Sequence, residues 1–432
     1  MKQINELSAI GFGSYRVSVK SQTHENALIY ALKNGVNLID TSANYTNGDS
    51  EKLIGKVLST FPQFDPFIVT KGGYVQGKNL EVMRELNFNN KAVDDLVFLD
   101  PELMHSIHPE FLEKQIEISL KQMNRTQIDC YLLHNPEYYF EDQNNLTSSE
   151  EYYKRIKKAF TFLEEKVQQK KIRYYGISSN NFPYSDTNPK VTNLQKVLDI
   201  ADEVSSNHHF KFIQFPYNFM ETGVLQNTHN GLPVLNLAKK NQLVTLVNRP
   251  LNAFSNSGLL RLATYEKFYQ DLNDSESDRH FEFCNNLIYK KCLEIEPLSK
   301  DDFATLPLIK QLRDVWKNLQ SIDAVDQVFW GHLFPFLVKM WGGDSIPADE
   351  SKPFYYLYDL SCKYALKNMT AKTIKFKNQL IQQDLINSSS THSLAHDTIK
   401  IYLKSGLDHI LVGMRKQEYV EDLIDLVNFK IH

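Results

Sequence analysis

Cysteine is scarce, with four in 432 residues. Cys130, Cys284, Cys292 and Cys362 show no paired C-x-x-C spacing and no histidine at metal-ligand spacing, which excludes zinc fingers, zinc ribbons and paired-thiol redox motifs. The thiols read as reduced and structural, and no metal is expected. Long apolar runs are also missing. None approaches the roughly 20 residues that a helix needs to cross a bilayer, and the first residues lack the basic-then-apolar order of a secretory leader. A cytoplasmic location without a membrane partner is therefore expected. Charge of one sign is lacking too: 48 Lys and Arg stand against 52 Asp and Glu. The formal net charge of -4 offers no broad attraction for nucleic acid. What remains is a globular composition, 42% hydrophobic and 23% charged, too apolar for a disordered chain. The length exceeds what one simple core fills, so either an insertion or a second domain is required.

Short β-rich runs alternate with segments of helical period from the N-terminus to about Pro250, the pattern of a parallel sheet covered by helices. Strands are predicted to end at Gly13, Asp40, Lys71, His134, Ser178, Tyr217 and Pro250. Between them lie helical stripes such as Ala27, Leu28, Ala31 and Leu32, with Gly35 in position to end the helix. An eighth unit comes much later, a strand over 409–412 followed by the stripe Val420, Leu423, Ile424 and Val427. Eight units predict an α/β fold of the closed (β/α)₈ TIM-barrel type. The rival, a doubly wound open sheet, announces its dinucleotide site with G-x-G-x-x-G. Here Gly11 and Gly13 are followed by Arg16 where the third glycine belongs.

The organisation expected is a barrel over 1–253 carrying strands one to seven, a helical insertion over 254–390, and strand and helix eight over 391–432. The insertion has no βα rhythm but carries stripes such as Leu308, Leu312, Val315, Trp316 and Leu319. Without its roughly 135 residues about 300 remain, the size of a single barrel. All three tryptophans, Trp316, Trp330 and Trp341, lie in it, giving it apolar material to bury. Because it leaves the chain after strand seven, it is expected on the C-terminal face, as a lid that helps choose the substrate and excludes water.

Four residues at successive strand ends carry the chemistry. Asp40 ends the second strand and Tyr45 follows five residues later, in a segment running on to Ile54 and Gly55. Lys71 ends the third strand and His134 the fourth. In type, order and spacing they resemble the catalytic residues of the aldo-keto reductases, and the likeness covers residues 8–253 and 391–430. It implies carbonyl reduction by a nicotinamide cofactor, or the reverse oxidation of a sugar or alcohol. Hydride transfer to a carbonyl carbon builds negative charge on oxygen, which a proton donor must meet. Tyr45 is the expected general acid. A phenol has a pKa of about 10, and a nearby ammonium, Lys71, is expected to lower it. Asp40 keeps the lysine charged, and His134 hydrogen-bonds the substrate oxygen.

The same resemblance assigns the cofactor site. Ser178, Ser179 and Asn180 stand where the family has a Ser-Asn pair for the carboxamide, which leaves open which of them makes the contact. Gln214 would bind the amide, and Tyr217 would stack on the nicotinamide face. Arg249 and Leu251 lie in the turn that wraps the pyrophosphate, where Arg249 would either pair with a phosphate or bridge to the insertion. Gly13, Ser14 and Tyr15 at the first strand end, and Gly413, Arg415 and Lys416 after the eighth, complete the set. Arg415 and Lys416 would favour a 2′-phosphate, so NADP(H) is expected over NAD(H).

One phosphate-loop pattern is rejected. Gly72, Gly77 and Lys78 fit G-x-x-x-x-G-K, but Asn79 stands where a Mg²⁺-binding Ser or Thr belongs. Two other readings compete: a cofactor-sensing regulatory protein using the insertion as its partner surface, and a metal-dependent hydrolase, which clustered His and carboxylate ligands would mark. The expected partner is a small carbonyl or sugar. Neither its identity nor the oligomeric state can be read from these residues.

Overall fold

The computed structural model describes residues 3–88, 95–255, 258–343 and 346–430. It divides into two compact units, Met1–Leu259 with His396–His432, and Leu260–Ala395.

The first unit is a closed barrel of eight parallel strands. These are β1 (Ile10–Gly13), β2 (Leu38–Asp40), β3 (Phe67–Gly72), β4 (Ile128–His134), β5 (Ile172–Ser178), β6 (Phe210–Pro216), β7 (Val244–Asn248) and β8 (His409–Gly413). Each pairs with its sequence neighbour, and β8 closes on β1 with Gly13 opposite Gly413. The predicted strand ends match to within two residues: β3 runs one residue past Lys71, while β6 and β7 stop at Pro216 and Asn248.

Helices α1 (Gln22–Lys33), α2 (Asp49–Thr60), α3 (Pro109–Gln122), α4 (Ser149–Gln168), α5 (Leu194–Val204), α6 (Val234–Lys240), α7 (Leu394–Lys404) and α8 (Gln417–Glu421) follow the strands in turn. Local chemistry sets several of their starts. Ser21 and Ser148 cap α1 and α4 by accepting from the backbone N–H groups of His24 and Glu151, and Pro109 opens α3 at a position where its missing N–H costs nothing. The Ala27, Leu28, Ala31, Leu32 stripe of α1 is buried, and Gly35 ends the helix at φ 91°. Gly55 lets α2 approach α3, since a Cβ there would lie 2.2 Å from the Gln122 carbonyl oxygen.

Period-two alternation sorts the strand residues between two cores. Ile39, Ile68, Leu133, Ile213 and Val247 face the helices. Leu38, Phe67, Val69, Cys130, Leu132, Phe212, Val244, Leu246 and Leu411 fill the barrel interior as a separate cluster. One step further along these inward series stand Asp40, Lys71, His134 and Gln214. The polar site residues therefore take the inward positions at the C-terminal ends of their strands, directly above the apolar filling.

Two departures from the sequence-based picture matter. The stripe Val420, Leu423, Ile424 and Val427 does not build a full eighth helix: α8 ends at Glu421 and a 3₁₀ turn, Ile424–Leu426, follows, although Val420, Leu423 and Val427 are buried. A small antiparallel sheet, Tyr74–Gln76, Leu103–His105 and Val97–Asp100, is inserted between β3 and α3 together with the helix Lys78–Phe88. The rejected phosphate-loop pattern is thus a strand followed by a helix start.

The second unit is largely helical, with its longest helices at Asp274–Ile295 and Ala348–Gln382. Its own core includes Phe281, Ile309, Leu312, Trp316, Phe329, Leu337 and Phe354. Trp316 stacks on Phe281 with ring centroids 4.9 Å apart. Among the described residues, no helix is long and apolar enough to cross a membrane.

Candidate active site

Lys71 is fully buried, and its ammonium has three neighbours that accept hydrogen bonds. Nζ lies 2.7 Å from Asp40 Oδ1, donates to the Thr41 carbonyl at 2.8 Å, and donates to Tyr45 Oη at 3.3 Å. A lysine carries three donors, and here each has an acceptor. Strand register provides this geometry, because Asp40 pairs with Val69 on β3, two residues before Lys71. Tyr45 opens a tight turn in which Thr46 and Asn47 both adopt positive φ, at 48° and 58°. The Tyr45 ring lies over the Lys71 ammonium at 4.8 Å, with Tyr15 edge-on at 5.2 Å and His134 at 6.0 Å.

The expectation that Lys71 lowers the Tyr45 pKa is corrected. Burial, followed by the negative charge of Asp40 and then Tyr15, raises the phenol well above its ordinary value. Burial pulls Lys71 down while Asp40 draws it back up. The ammonium is engaged by Asp40 at 2.7 Å, so little of its field is left to acidify the phenol. The result is a phenol held in its protonated form, beside a cation that can stabilise the phenolate once the proton leaves.

His134 ends β4 with its Nδ1 3.0 Å from Ser42 Oγ. Burial, then Lys71 and His105, hold it neutral, well below the ordinary histidine value. Tyr74 packs edge-on against its ring at 4.6 Å, and His105 Nε2 donates to its backbone carbonyl at 2.7 Å. Burial pushes His105 itself down to about 4. Tyr74 and His105 both come from the small sheet after β3. Asn135 Nδ2 donates to Tyr74 Oη at 2.8 Å, which steadies that ring.

The carboxamide candidates divide. Ser178 Oγ donates to Gln214 Oε1 at 2.8 Å, and Gln214 Nε2 donates to Asp40 Oδ1 at 2.8 Å, so these two residues join the hydrogen-bond network of Asp40 and Lys71. Ser179 is buried against Thr192, with the two hydroxyls 2.8 Å apart. Asn180 donates its N–H to buried Glu137 and receives Arg249 Nη2 at 3.1 Å. Tyr217 is buried, edge-on to Tyr402 at 5.1 Å. Arg249, at φ 53°, bridges Asn180 and Glu221, the latter at 3.1 Å. Leu251 packs against the helix-facing core.

Ser14 Oγ donates to the Asp40 carbonyl at 2.7 Å, while Tyr15 is exposed. Gly13 sits between Asp40 and Gly413 in the strand register. Arg415 stands close enough to His24 to lower its pKa, after burial, which is the larger cause. Lys416 occupies the cap position of α8. One buried polar atom fits a cofactor amide: Asn248 Oδ1, at the end of β7, has no hydrogen-bond partner among the described residues. Together with Ser178 and Gln214 it gives the barrel mouth donor and acceptor groups of the kind a carboxamide needs.

Sequence reasoning missed Ser42, Tyr74, His105, Glu137 and Asn248. Ser42 and Asn248 carried a usable signal, since each lies within two residues of a predicted site residue or strand end. Tyr74 and His105 did not, because only the small sheet brings them to His134.

Residues 9–318, more than half the chain, match the family model described as "Aldo/keto reductase family". The NADH-specific methylglyoxal reductase of Escherichia coli (strain K12) is 24% identical over 136 residues, 30% of this chain and 38% of that protein. The aldo-keto reductase YhdN of Bacillus subtilis (strain 168) is 24% identical over 248 residues, 56% of this chain and 58% of that protein. This chain therefore covers less than two thirds of either relative. Among solved structures, a glycerol dehydrogenase from Gluconobacter oxydans aligns over 99% of this chain and 88% of its own, at 17% identity and a TM-score of 0.49.

Proposed function

The chain belongs to the aldo/keto reductase family, and from that premise we propose that it is an NAD(P)H-dependent oxidoreductase that interconverts a carbonyl and an alcohol on a small molecule. One observation carries the reading: a single buried ammonium, Lys71 Nζ, touches both Asp40 and Tyr45 Oη, with His134 beside them. A bound nicotinamide would supply the hydride, with Ser178, Gln214 and Asn248 as the residues to hold its carboxamide. Tyr45 donates its proton to the carbonyl oxygen as charge grows there. Lys71 stabilises the phenolate left behind, and Asp40 keeps Lys71 in place. His134 binds substrate oxygen in the same pocket. The regulatory alternative has no observation in its favour.

NADP(H) is the proposed cofactor, on the strength of Arg415 and Lys416, whose cations suit a 2′-phosphate. The helical unit is proposed to take part in substrate selection, since its chain departs after β7, at the strand end where barrel sites assemble. The test is oxidation of NADPH and NADH at 340 nm with aldehydes, ketones and sugars, on wild type and Tyr45→Phe. The variant should lose more than about 10²-fold in kcat while binding cofactor as before, because the phenol acts on the developing alkoxide and not on the nucleotide. Wild-type rates in Tyr45→Phe on every accepted carbonyl would overturn the assignment.

A further inference from the structure

The pairing of β3 with β4 ends at Gly72 opposite Leu133, one residue short of His134. Asn135 donates its N–H to the Ser178 carbonyl on β5 at 2.7 Å. Neighbouring residues of a strand turn their backbone groups to opposite sides, so the His134 carbonyl faces the β3 side. There the chain has already left the barrel, turning through Gly73 at φ 144° into the small sheet. A buried carbonyl left without a donor is destabilising. The donor that meets it is a side chain, His105 Nε2, at 2.7 Å. A carbonyl oxygen can only accept, so this contact alone puts the His105 proton on Nε2, and burial, which pulls the ring down to about 4, keeps it neutral. Gly73 leaves room for the imidazole, since a Cβ there would lie 2.7 Å from His105 Nε2 and 3.0 Å from the His134 carbonyl oxygen.

The His134 ring is held from the same place. Tyr74 stands opposite His105 in the antiparallel ladder of the small sheet and packs edge-on against the His134 ring at 4.6 Å. One cross-strand pair therefore grips one site residue twice, at its backbone and at its ring. We propose that His105 is a positioning residue, which takes the ladder place that β3 vacates and fixes where His134 presents its imidazole to the substrate oxygen. The proposal rests on the reductase reading for what His134 binds, and goes beyond it in giving the small sheet a task at the site. At 2% exposure His105 acts through His134 and not on the substrate.

His105→Leu removes the donor at similar volume, whereas His105→Gln can still donate from its amide. With the carbonyl that wild type reduces best, His105→Leu should lose about 10- to 100-fold in kcat/KM, the range expected when a group that orients substrate is displaced. NADPH affinity, read by calorimetry, should stay as in wild type, and His105→Gln should recover most of the loss. A general weakening of the fold would act whatever residue stands at 134. If His105 works through His134, His105→Leu should change kcat/KM by less than about twofold in a His134→Gln background. An undiminished loss in that background, or wild-type kcat/KM in His105→Leu, overturns the proposal. Independently of turnover, NMR of ¹⁵N-histidine-labelled protein should find the His105 proton on Nε2 in wild type. The His134 ring signals should be displaced in His105→Leu and restored in His105→Gln. A His105 proton on Nδ1, or His134 signals that His105→Leu leaves in place, overturns the proposal. Wild type that binds NADPH but reduces no carbonyl would instead refute the reductase reading, and the NMR results would still decide whether His105 sets His134.

Discussion

Removing the Lys71 ammonium should destabilise the barrel by an amount that a second substitution largely restores. In Lys71→Met, the Asp40 carboxyl is left at 4% exposure without its counter-ion, with only the Gln214 amide on the oxygen the lysine had shared. Breaking a buried pair from one side costs about 3–5 kcal/mol, because the abandoned charge stays desolvated. Asp40→Asn alone leaves the ammonium without its counter-charge, with only neutral acceptors around it, the Thr41 carbonyl, the Tyr45 phenol and the new amide oxygen, and should cost a similar amount. The double variant carries neither charge. It still offers Gln214 an acceptor, the amide oxygen that Asp40→Asn leaves in place of the carboxylate, so its loss should be about 1–2 kcal/mol, the worth of the hydrogen bonds removed. The two single costs would sum to about 6–10 kcal/mol, which predicts a coupling of at least about 4 kcal/mol. The assay is a double-mutant cycle in urea followed by amide exchange of the barrel strands. Tryptophan fluorescence would mislead, since all three tryptophans lie in the helical unit. Additivity within about 0.5 kcal/mol would refute the reasoning, because uncoupled residues behave that way.

Glu51 is fully buried, with no hydrogen-bond partner for Oε2 among the described residues, and burial raises it to about 7 from an unfolded value near 4.5. Between those values the folded chain holds a proton that the unfolded chain has lost, so its stabilising share is full below pH 4.5, falls as pH rises, and is gone above about 7. Glu51→Gln should flatten that fall by about 3 kcal/mol in urea titrations from about pH 5 to about pH 8, and an unchanged slope would refute it. Arg415→Ala combined with Lys416→Ala should lower the NADPH to NADH ratio of kcat/KM at least about tenfold, whereas an unchanged ratio would remove both residues from the 2′-phosphate site. Replacing residues 257–387 with a short Gly/Ser linker should change relative kcat/KM across substrates, and an identical profile from a folded, cofactor-binding variant would end the substrate-selection proposal.

Asp40, Lys71 and His134 were legible because each stands at the end of a strand whose apolar alternation is visible in the sequence, and period two then dictates which face they take, whereas Tyr45, in the turn after β2, was legible only from its spacing to Asp40. Asp40 follows Leu38 inward, Lys71 follows Phe67 and Val69, and His134 follows Cys130 and Leu132. The small sheet was not legible. Two of its strands are three residues long, and one begins inside a glycine-rich stretch that reads as a loop. The short α8 misled for another reason: its stripe reports burial, which a 3₁₀ turn provides as well as a helix does. The pKa of Tyr45 could not be read because two opposite charges and burial act on it together, and their balance depends on distances.

Gln214 Nε2 reaches Asp40 across 174 residues of chain, and this bond decides how the two halves of the site are joined. Asp40 Oδ1 takes both the Lys71 ammonium and the Gln214 amide, which commits the Gln214 side chain: its N–H group points to the anion, and its oxygen is left to accept from Ser178. The residues proposed to hold the carboxamide are thus oriented by the same carboxylate that holds Lys71. Neither half can be set correctly without the other. The arrangement depends on register, with Gly13 opposite Asp40, Asp40 opposite Val69 and Ser178 opposite Gln214, so a one-residue slip in any of these strands would turn its site residue out of the barrel. The apolar filling below opposes such a slip, because it would also drive Leu38, Val69 or Phe212 out of the interior.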